Sequence, residues 1–431
     1  MNIFKHRNFS LMFFGRIVTN IGDSLYGVAA MLLIYQLGGS TFYTGLAGFL
    51  SILPRIVEFS SGPLIDRIPI RSLLVRTQLI QSGLLLIIPL AFMFDILSVI
   101  LVLILTPIIS VFNVVIYPAQ LASLPKILPE KELTKGNSLF TIAYQGVDIS
   151  FNGLAGILFV LIGPFALYAV NSIAFLIGAC IFFFIRLPKN SEEAIAKEKE
   201  LFNKNMLRTT VKKYMKDLQE GIEIMFKSFI AKLLYGAIIL NLVSAATIAV
   251  FPAYGEVIGG TKYVGFLLMA SALGSLTGAV IAPALRLERF PLGKLYAFGY
   301  LFAGSLWVIA VMMPTAWLTL LVYTIAWIPA GALNVIIFTM LQKTSPKHLI
   351  GRIFTAATSI SGMAAPIGSL LGGSLGTWIG SALVVTFSGV IILCVAVCWL
   401  VNAEVRNLPA TKCLNENSLL HSTIQVQGAT N

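Results

Sequence analysis

Apolar residues in this chain fill long blocks separated by short polar breaks, rather than alternating or recurring in narrow stripes. An α-helix needs about 20 mostly apolar residues to cross a bilayer. Blocks of that order run over 11–37, 42–65, 72–94, 96–121, 137–161 and 163–185. After a long polar stretch they resume over 229–254, 262–285, 292–313, 316–341, 352–378 and 380–402. Gly38-Gly39, Gly163-Pro164, Gly259-Gly260, Pro314 and Gly380 mark breaks, because Gly and Pro punctuate helices. The pattern predicts an all-α membrane protein with twelve transmembrane helices. The first block contains charges and leads directly into the second, so it reads as a span and not as a cleaved signal peptide.

Composition agrees with the block pattern. Of 431 residues, 57% are hydrophobic and only 11% charged, where soluble domains carry about a quarter charged residues. The net charge of +12 raises the possibility of nucleic-acid binding. The basic residues, however, gather in short loops on one side: Lys5 and Arg7; Arg67 and Arg71; Lys126, Lys131 and Lys135; Arg286, Arg289 and Lys294; Lys343, Lys347 and Arg352; Arg406 and Lys412. The opposite loops hold little beyond Lys262, so the positive-inside rule puts both termini in the cytoplasm and no nucleic-acid partner is expected. Cys180, Cys394, Cys398 and Cys413 have no paired extracellular spacing and predict no disulfide. Cys394 and Cys398 lack His or carboxylate partners, so no metal is expected.

The chain divides into a half at 1–186, a polar connector at 187–228, a second half at 229–403 and a tail at 404–431. In the connector, Val211, Met215, Leu218, Ile222, Met225 and Phe229 recur at helical spacing, which predicts an amphipathic helix on the membrane surface. The tail is polar and is expected to be poorly ordered. Thr41, Tyr43 and Gly45 recur as Thr261, Tyr263 and Gly265, and Pro63 as Pro283, at an offset of 220 residues. The repeat implies two six-helix halves in the same orientation. At that offset Asp66 corresponds to Arg286 and Arg71 to Pro291.

Ionisable residues inside the spans carry the functional argument, since each charge at mid-bilayer costs about 2.5–3.5 kcal/mol. The first half holds Arg16, Asp23, Arg55, Glu58 and Asp148 in or near its spans. Arg16, Asn20 and Asp23 share a face of the first helix; Gln145, Asp148 and Asn152 share a face of the fifth. These polar faces are expected to border a central cavity. A carboxylate there can take up and release protons, because desolvation and a nearby Arg act on it in opposite directions. Asp23 ranks first for this role, then Asp148 and Glu58; the alternative is that Arg16–Asp23 and Arg55–Glu58 are internal ion pairs that only fix packing. Glycines at 146, 153, 156, 368, 372 and 376 predict close helix contacts, and Trp317 and Trp378 read as interfacial anchors.

Gly62, Leu64, Asp66, Arg67 and Arg71 form G-x-L-x-D-R-x-x-x-R between the second and third blocks. This resembles the signature loop of the major facilitator superfamily. Gly22-Asp23, Pro54-Arg55, the run from Pro118, EGIEIMFKS from Glu220 and APIGSLLGG from Ala365 together look like the macrolide-efflux and enterobactin-exporter branch of its drug:proton antiporters. The resemblance implies parallel halves with a substrate path between them, a cytoplasmic gate at Gly62, Asp66, Arg67 and Arg71, and a multi-pass protein of the bacterial inner membrane. It also implies a monomer that exports lipophilic or amphipathic molecules such as macrolides against protons, without a cofactor. A siderophore or peptide-like product is the alternative cargo, and a membrane sensor or immunity scaffold the non-transport alternative. Two features depart from that branch: the fourth block has no arginine, and the fifth reads FNGLAG where antiporters often have Gly-Pro. An enzyme is not expected: GEVIGGTK has the wrong order for a phosphate loop, and His6, His348 and His421 lie in loops or tails.

Overall fold

A computed structural model of the chain describes residues 3–50, 54, 69–186, 219, 222, 223, 226, 228, 230–345 and 350–414. Arg55, Glu58, Gly62, Leu64, Asp66 and Arg67, and most of the connector, lie outside the described residues. The described chain is helical and contains no strand. Eight of its helices are long and apolar enough to cross a membrane.

The backbone divides into two compact units, residues 1–210 with 251–269, and 211–250 with 270–431. The first contains α1 (Arg7–Gly38), α2 (Thr41–Leu50), α3 (Ile70–Met93), α4 (Val99–Ile127) and α5 (Glu130–Phe183). α1 ends where Gly39 turns left-handed, at φ 63°, and donates its N–H to the Tyr35 carbonyl. Ser98 caps α4 by accepting from the Leu101 N–H. α5 is two helices in one run, because Gly163 at φ 78° and ψ 165° leaves the helical region and Pro164 then begins a fresh helix. The expected break at Gly163-Pro164 is therefore present, without an intervening loop.

α1 packs along both arms of α5. Phe9, Met12, Leu74, Phe140 and Phe182 are buried together at one end of this packing. His6 meets Glu132 at 3.0 Å there, and Asn8 exchanges hydrogen bonds with the Arg186 backbone. The same unit includes α7 (Phe251–Ile258) and the start of α8 (Lys262–Ala284). Their separation from α6 (Ile230–Ala249) corrects the expected continuous block at 229–254. Pro252 has no N–H to continue the helical ladder, and the Val250 N–H takes the Thr247 carbonyl in a tighter turn.

The second unit comprises α6, the rest of α8, α9 (Leu292–Val311), α10 (Ala316–Thr344), α11 (Ile350–Ile379), α12 (Ser381–Val401) and a single turn, α13 (Ala403–Arg406). α9 packs on α12, and α11 packs on α6 where Gly368 and Gly372 face the backbone of Leu242 and Ala246. Tyr296, Tyr300 and Trp399 form one aromatic cluster, Trp307, Tyr323 and Trp327 another. Trp317 and Trp378 are 64% and 84% exposed, in keeping with an anchoring role at the ends of spans.

The tail departs from expectation. Through Leu414 it is folded, with Val405, Leu408, Thr411 and Leu414 buried. Apolar positions in an otherwise polar segment give it a side to bury, and Lys232 pairs with Glu404 at its root. Hydrogen bonding and the charge of Lys232 hold the exposed Glu404 carboxyl below its ordinary value. A carboxyl lowered in the folded state adds stability at neutral pH that is lost as pH falls through the lowered value, so this tie weakens on acidification.

Helix backbones come close in the first unit at Gly156 and Gly265, where a Cβ on Gly156 would lie 2.6 Å from the Lys262 carbonyl oxygen. The opposing atoms are backbone and cannot rotate away. Gly156→Val is expected to cost about 1–3 kcal/mol through overpacking, measured as a lower melting temperature in detergent, whereas Gly146→Val, with nothing within 4 Å of its Cβ position, should leave it unchanged.

Candidate functional site

The polar face of α1 is the centre of the site. Arg16 and Asn20 are buried, at 3% and 1% exposure, in the middle of an apolar helix. Asn20 Oδ1 accepts from Arg16 Nη2 at 3.3 Å, and Asn20 Nδ2 donates to the Tyr144 carbonyl on α5 at 2.8 Å. The Arg16 guanidinium also lies over the Tyr144 ring, 4.8 Å from its centroid, so it gains a π face as well as an amide. One turn further on, Ser24 Oγ lies 2.6 Å from Asp148 Oδ1 and 2.9 Å from the Asn20 carbonyl.

The Ser24 hydroxyl has one proton for these two acceptors. While Asp148 is ionised, the shorter, charge-assisted bond to the carboxylate claims it. When Asp148 is protonated it becomes the donor to Ser24 Oγ, and the hydroxyl can turn to the Asn20 carbonyl. The pair thus offers a hydrogen-bonded arrangement for either protonation state without moving a helix.

Asp23, half-buried, projects from the same helix toward α3 and α4. The Asn113 amide on α4 and the charges of Arg16 and Asp148 act on its carboxylate. Gln81 Nε2 donates to Asn113 Oδ1 and to the Ile109 carbonyl, the latter at 3.3 Å, and Gln78 Nε2 donates to Gln81 Oε1 at 3.4 Å. Because Gln81 occupies the Asn113 oxygen, the Asn113 amide hydrogens are left for Asp23. The other carboxylate oxygen, Asp23 Oδ1, is shielded from solvent and has no hydrogen-bond partner among the described residues.

Of the residues singled out from sequence, Arg16, Asn20, Asp23 and Asp148 are brought together. Asn152 lies one turn beyond Asp148, half-buried, where its backbone carbonyl faces Gly265. Gln145 follows Tyr144 on α5, but its side chain lies outside the description. Arg71 is at the start of α3 with its guanidinium 4.6 Å from the Phe183 ring centroid. The other gate-motif residues, with Arg55 and Glu58, are outside the described residues. Sequence reasoning missed Ser24, Gln78, Gln81 and Asn113. The signal for Gln78 and Gln81 was available, two amides three residues apart in an apolar span; Asn113 and the buried Gln120, seven residues apart in α4, gave a similar one that went unread.

The second unit differs in kind. Arg16 is the one charged side chain that is fully buried among the described residues, and it belongs to the first unit. The buried polar side chains of the second unit are hydroxyls, such as Thr247, Ser359, Ser369 and Ser388. Among the described residues no three His, Cys, Asp or Glu side chains converge as a metal site.

Comparison with known proteins adds an independent line. The family model described as Major Facilitator Superfamily matches residues 12–369. The chain is 24% identical over 424 residues to macrolide efflux protein A of Streptococcus pyogenes, covering 94% of this chain and 99% of that one. It is 23% identical over 396 residues to the MFS-type transporter YvqJ of Bacillus subtilis, covering 89% and 90%. Among solved structures, a bacterial homologue of the human lysosomal transporter Spinster superposes with a TM-score of 0.67 at 13% identity, over 98% of this chain and 99% of that one. A POT family transporter in complex with 5-aminolevulinic acid gives 0.66 at 13% identity, over 92% and 96%.

Asn20 joins two helices through both ends of its amide. Asn20→Leu is expected to destabilise the protein by about 1–3 kcal/mol, because it deprives the buried guanidinium of an acceptor and α5 of a cross-helix bond. The melting temperature should fall clearly, and further than for Asn152→Leu; equal shifts in the two variants would contradict this bonding.

Proposed function

This chain belongs to the Major Facilitator Superfamily, a family of transporters, and is a multi-pass membrane protein; from that premise we propose that it is a proton-coupled exporter of lipophilic or amphipathic small molecules, of which macrolides are the model class. The observation that carries the reading is the pair of carboxylates, Asp23 and Asp148, set inside apolar helices beside neutral groups, with Ser24 bonded to Asp148 and Asn113 beside Asp23. A structural charge in such a place is best served by a permanent ion pair. A carboxylate that must gain and lose a proton is better served by neutral amides and hydroxyls, which donate to its ionised form without locking it there as a paired cation would.

In this reading Asp23 is the coupling carboxylate and Asp148 its neighbour on α5. Arg16 supplies the positive charge that favours release of the proton, and Asn113 occupies the helix where related antiporters carry an arginine. Glu58, Arg55, Gln145 and Asn152 extend the polar surface, and Gly62, Asp66, Arg67 and Arg71 form the cytoplasmic gate. Twelve spans, six in 1–186 and six in 229–403, place both termini in the cytoplasm of a bacterial inner-membrane protein acting as a monomer. The likeness to macrolide efflux protein A along 94% of the chain supports the substrate class.

Cells expressing the protein should accumulate less labelled macrolide than control cells, and a protonophore should abolish the difference. Asp23→Asn is expected to lower the protonophore-sensitive export at least tenfold while the protein remains in the membrane. Undiminished export by that variant would overturn the coupling role, and export indifferent to the protonophore would overturn proton coupling altogether.

Topology has its own test. In a variant with Ser at positions 180, 394 and 398, a membrane-impermeant maleimide should label the exposed Cys413 only after the cells are permeabilised. Labelling in intact cells would contradict a cytoplasmic C-terminus.

A further inference from the structure

The folded tail brings together two basic segments more than a hundred residues apart. Pro291, at the start of α9, forms an antiparallel bridge with Ala410, and the Leu292 N–H donates to the Pro409 carbonyl at 3.2 Å. Gly293 permits this approach, since a Cβ there would collide with the Val405 carbonyl and lie 2.8 Å from that of Arg406. The short turns Leu287–Arg289 and Thr411–Cys413 pack on each other. As a result Arg406 and Lys412 share one rim with Arg286, Arg289 and Lys294.

All five of these side chains are exposed. The carboxylates of the same segments offset little of their charge, because Glu404 is paired with Lys232, leaving only the half-buried Glu288. The Arg406 guanidinium donates to the Leu400 carbonyl at 3.1 Å, which holds it against the end of α12. Arg286 adopts the left-handed conformation, φ 52°, uncommon for a residue with a Cβ. Leu285 and Phe290 flank this loop and are 61% and 53% exposed. Cations flanked by exposed apolar side chains at a span end match the boundary between acyl chains and head groups.

We infer that this rim, built from residues 286–294 and 406–412, is a binding site for the head group of an anionic phospholipid. The phosphate is held by Arg286, Arg289 and Lys412, while Leu285 and Phe290 lie against the acyl chains. Guanidinium groups suit a phosphate because their paired N–H donors match its oxygens. Each Lys or Arg at such a surface strengthens binding by about fivefold at low ionic strength. The inference requires only that the protein is embedded in a membrane, and it stands whether or not transport is coupled to protons.

The test uses the full-length protein in a neutral detergent, titrated with phosphatidylglycerol or phosphatidylcholine, with melting temperature as the readout, since binding to the folded state raises it. Phosphatidylglycerol should raise the melting temperature and phosphatidylcholine should not, and about 1 M salt should suppress the effect. Neutralising the site in R286Q/R289Q/K412Q should weaken the phosphatidylglycerol response at least tenfold. K126Q/K131Q/K135Q, which removes three exposed cations from the first unit, should retain it. If the first triple variant melts lower without lipid, R289Q alone should still weaken the response several-fold. Equal loss in both triple variants, no loss in either, or an equal response to inorganic phosphate would overturn the site.

Discussion

A charged or amide side chain inside an apolar helix must find its hydrogen-bond partners within the protein, because the hydrocarbon around the helix offers none. That constraint organises the first unit. Arg16 meets Asn20 and the Tyr144 ring, Asp148 meets Ser24, and Asp23 has beside it Asn113, itself oriented by Gln81, while Asp23 Oδ1 has no hydrogen-bond partner among the described residues. Each bond crosses between helices or fixes the side chain that does. The packing of α1 against α4 and α5 and the chemistry of its polar face are therefore one feature.

The two units meet the same constraint in different ways. The first places ionisable groups in its interior and surrounds them with amides and hydroxyls. The second has no fully buried charged side chain among its described residues, and its helices come together through glycines and aromatic clusters, as where Gly368 and Gly372 meet α6. Both units are helical, while the fully buried charge among the described residues lies in the first. At the position corresponding to the charged loop of the first half, the second half has Arg286 and Pro291, and there the tail folds back onto the chain.

Much of this was legible in the sequence. Apolar blocks located the eight long described helices because a span is defined by length and composition, though 229–254 proved to be broken, and Gly163-Pro164, Gly259-Gly260 and Gly380 marked breaks that the backbone makes with positive φ. Arg16, Asn20 and Asp23 could be placed on one face because helical periodicity is fixed. What they touch could not. Ser24 is an unremarkable residue until Asp148, 124 positions away, lies 2.6 Å from it, and Asn113 meets its partner Gln81 across 32 positions. The tail was misread for a related reason. Val405, Leu408 and Leu414 are too sparse to form a block, and their burial depends on the surface that α9 presents.

The sequence by itself determined that this chain is a helical, multi-pass membrane protein and that its first helix carries charge into the apolar region, since hydropathy, periodicity and the cost of burying charge are local properties. Only the tertiary structure decided which groups meet that charge and where the tail lies. Those outcomes depend on contacts between segments far apart in the chain, and no pattern along one helix specifies what packs against it.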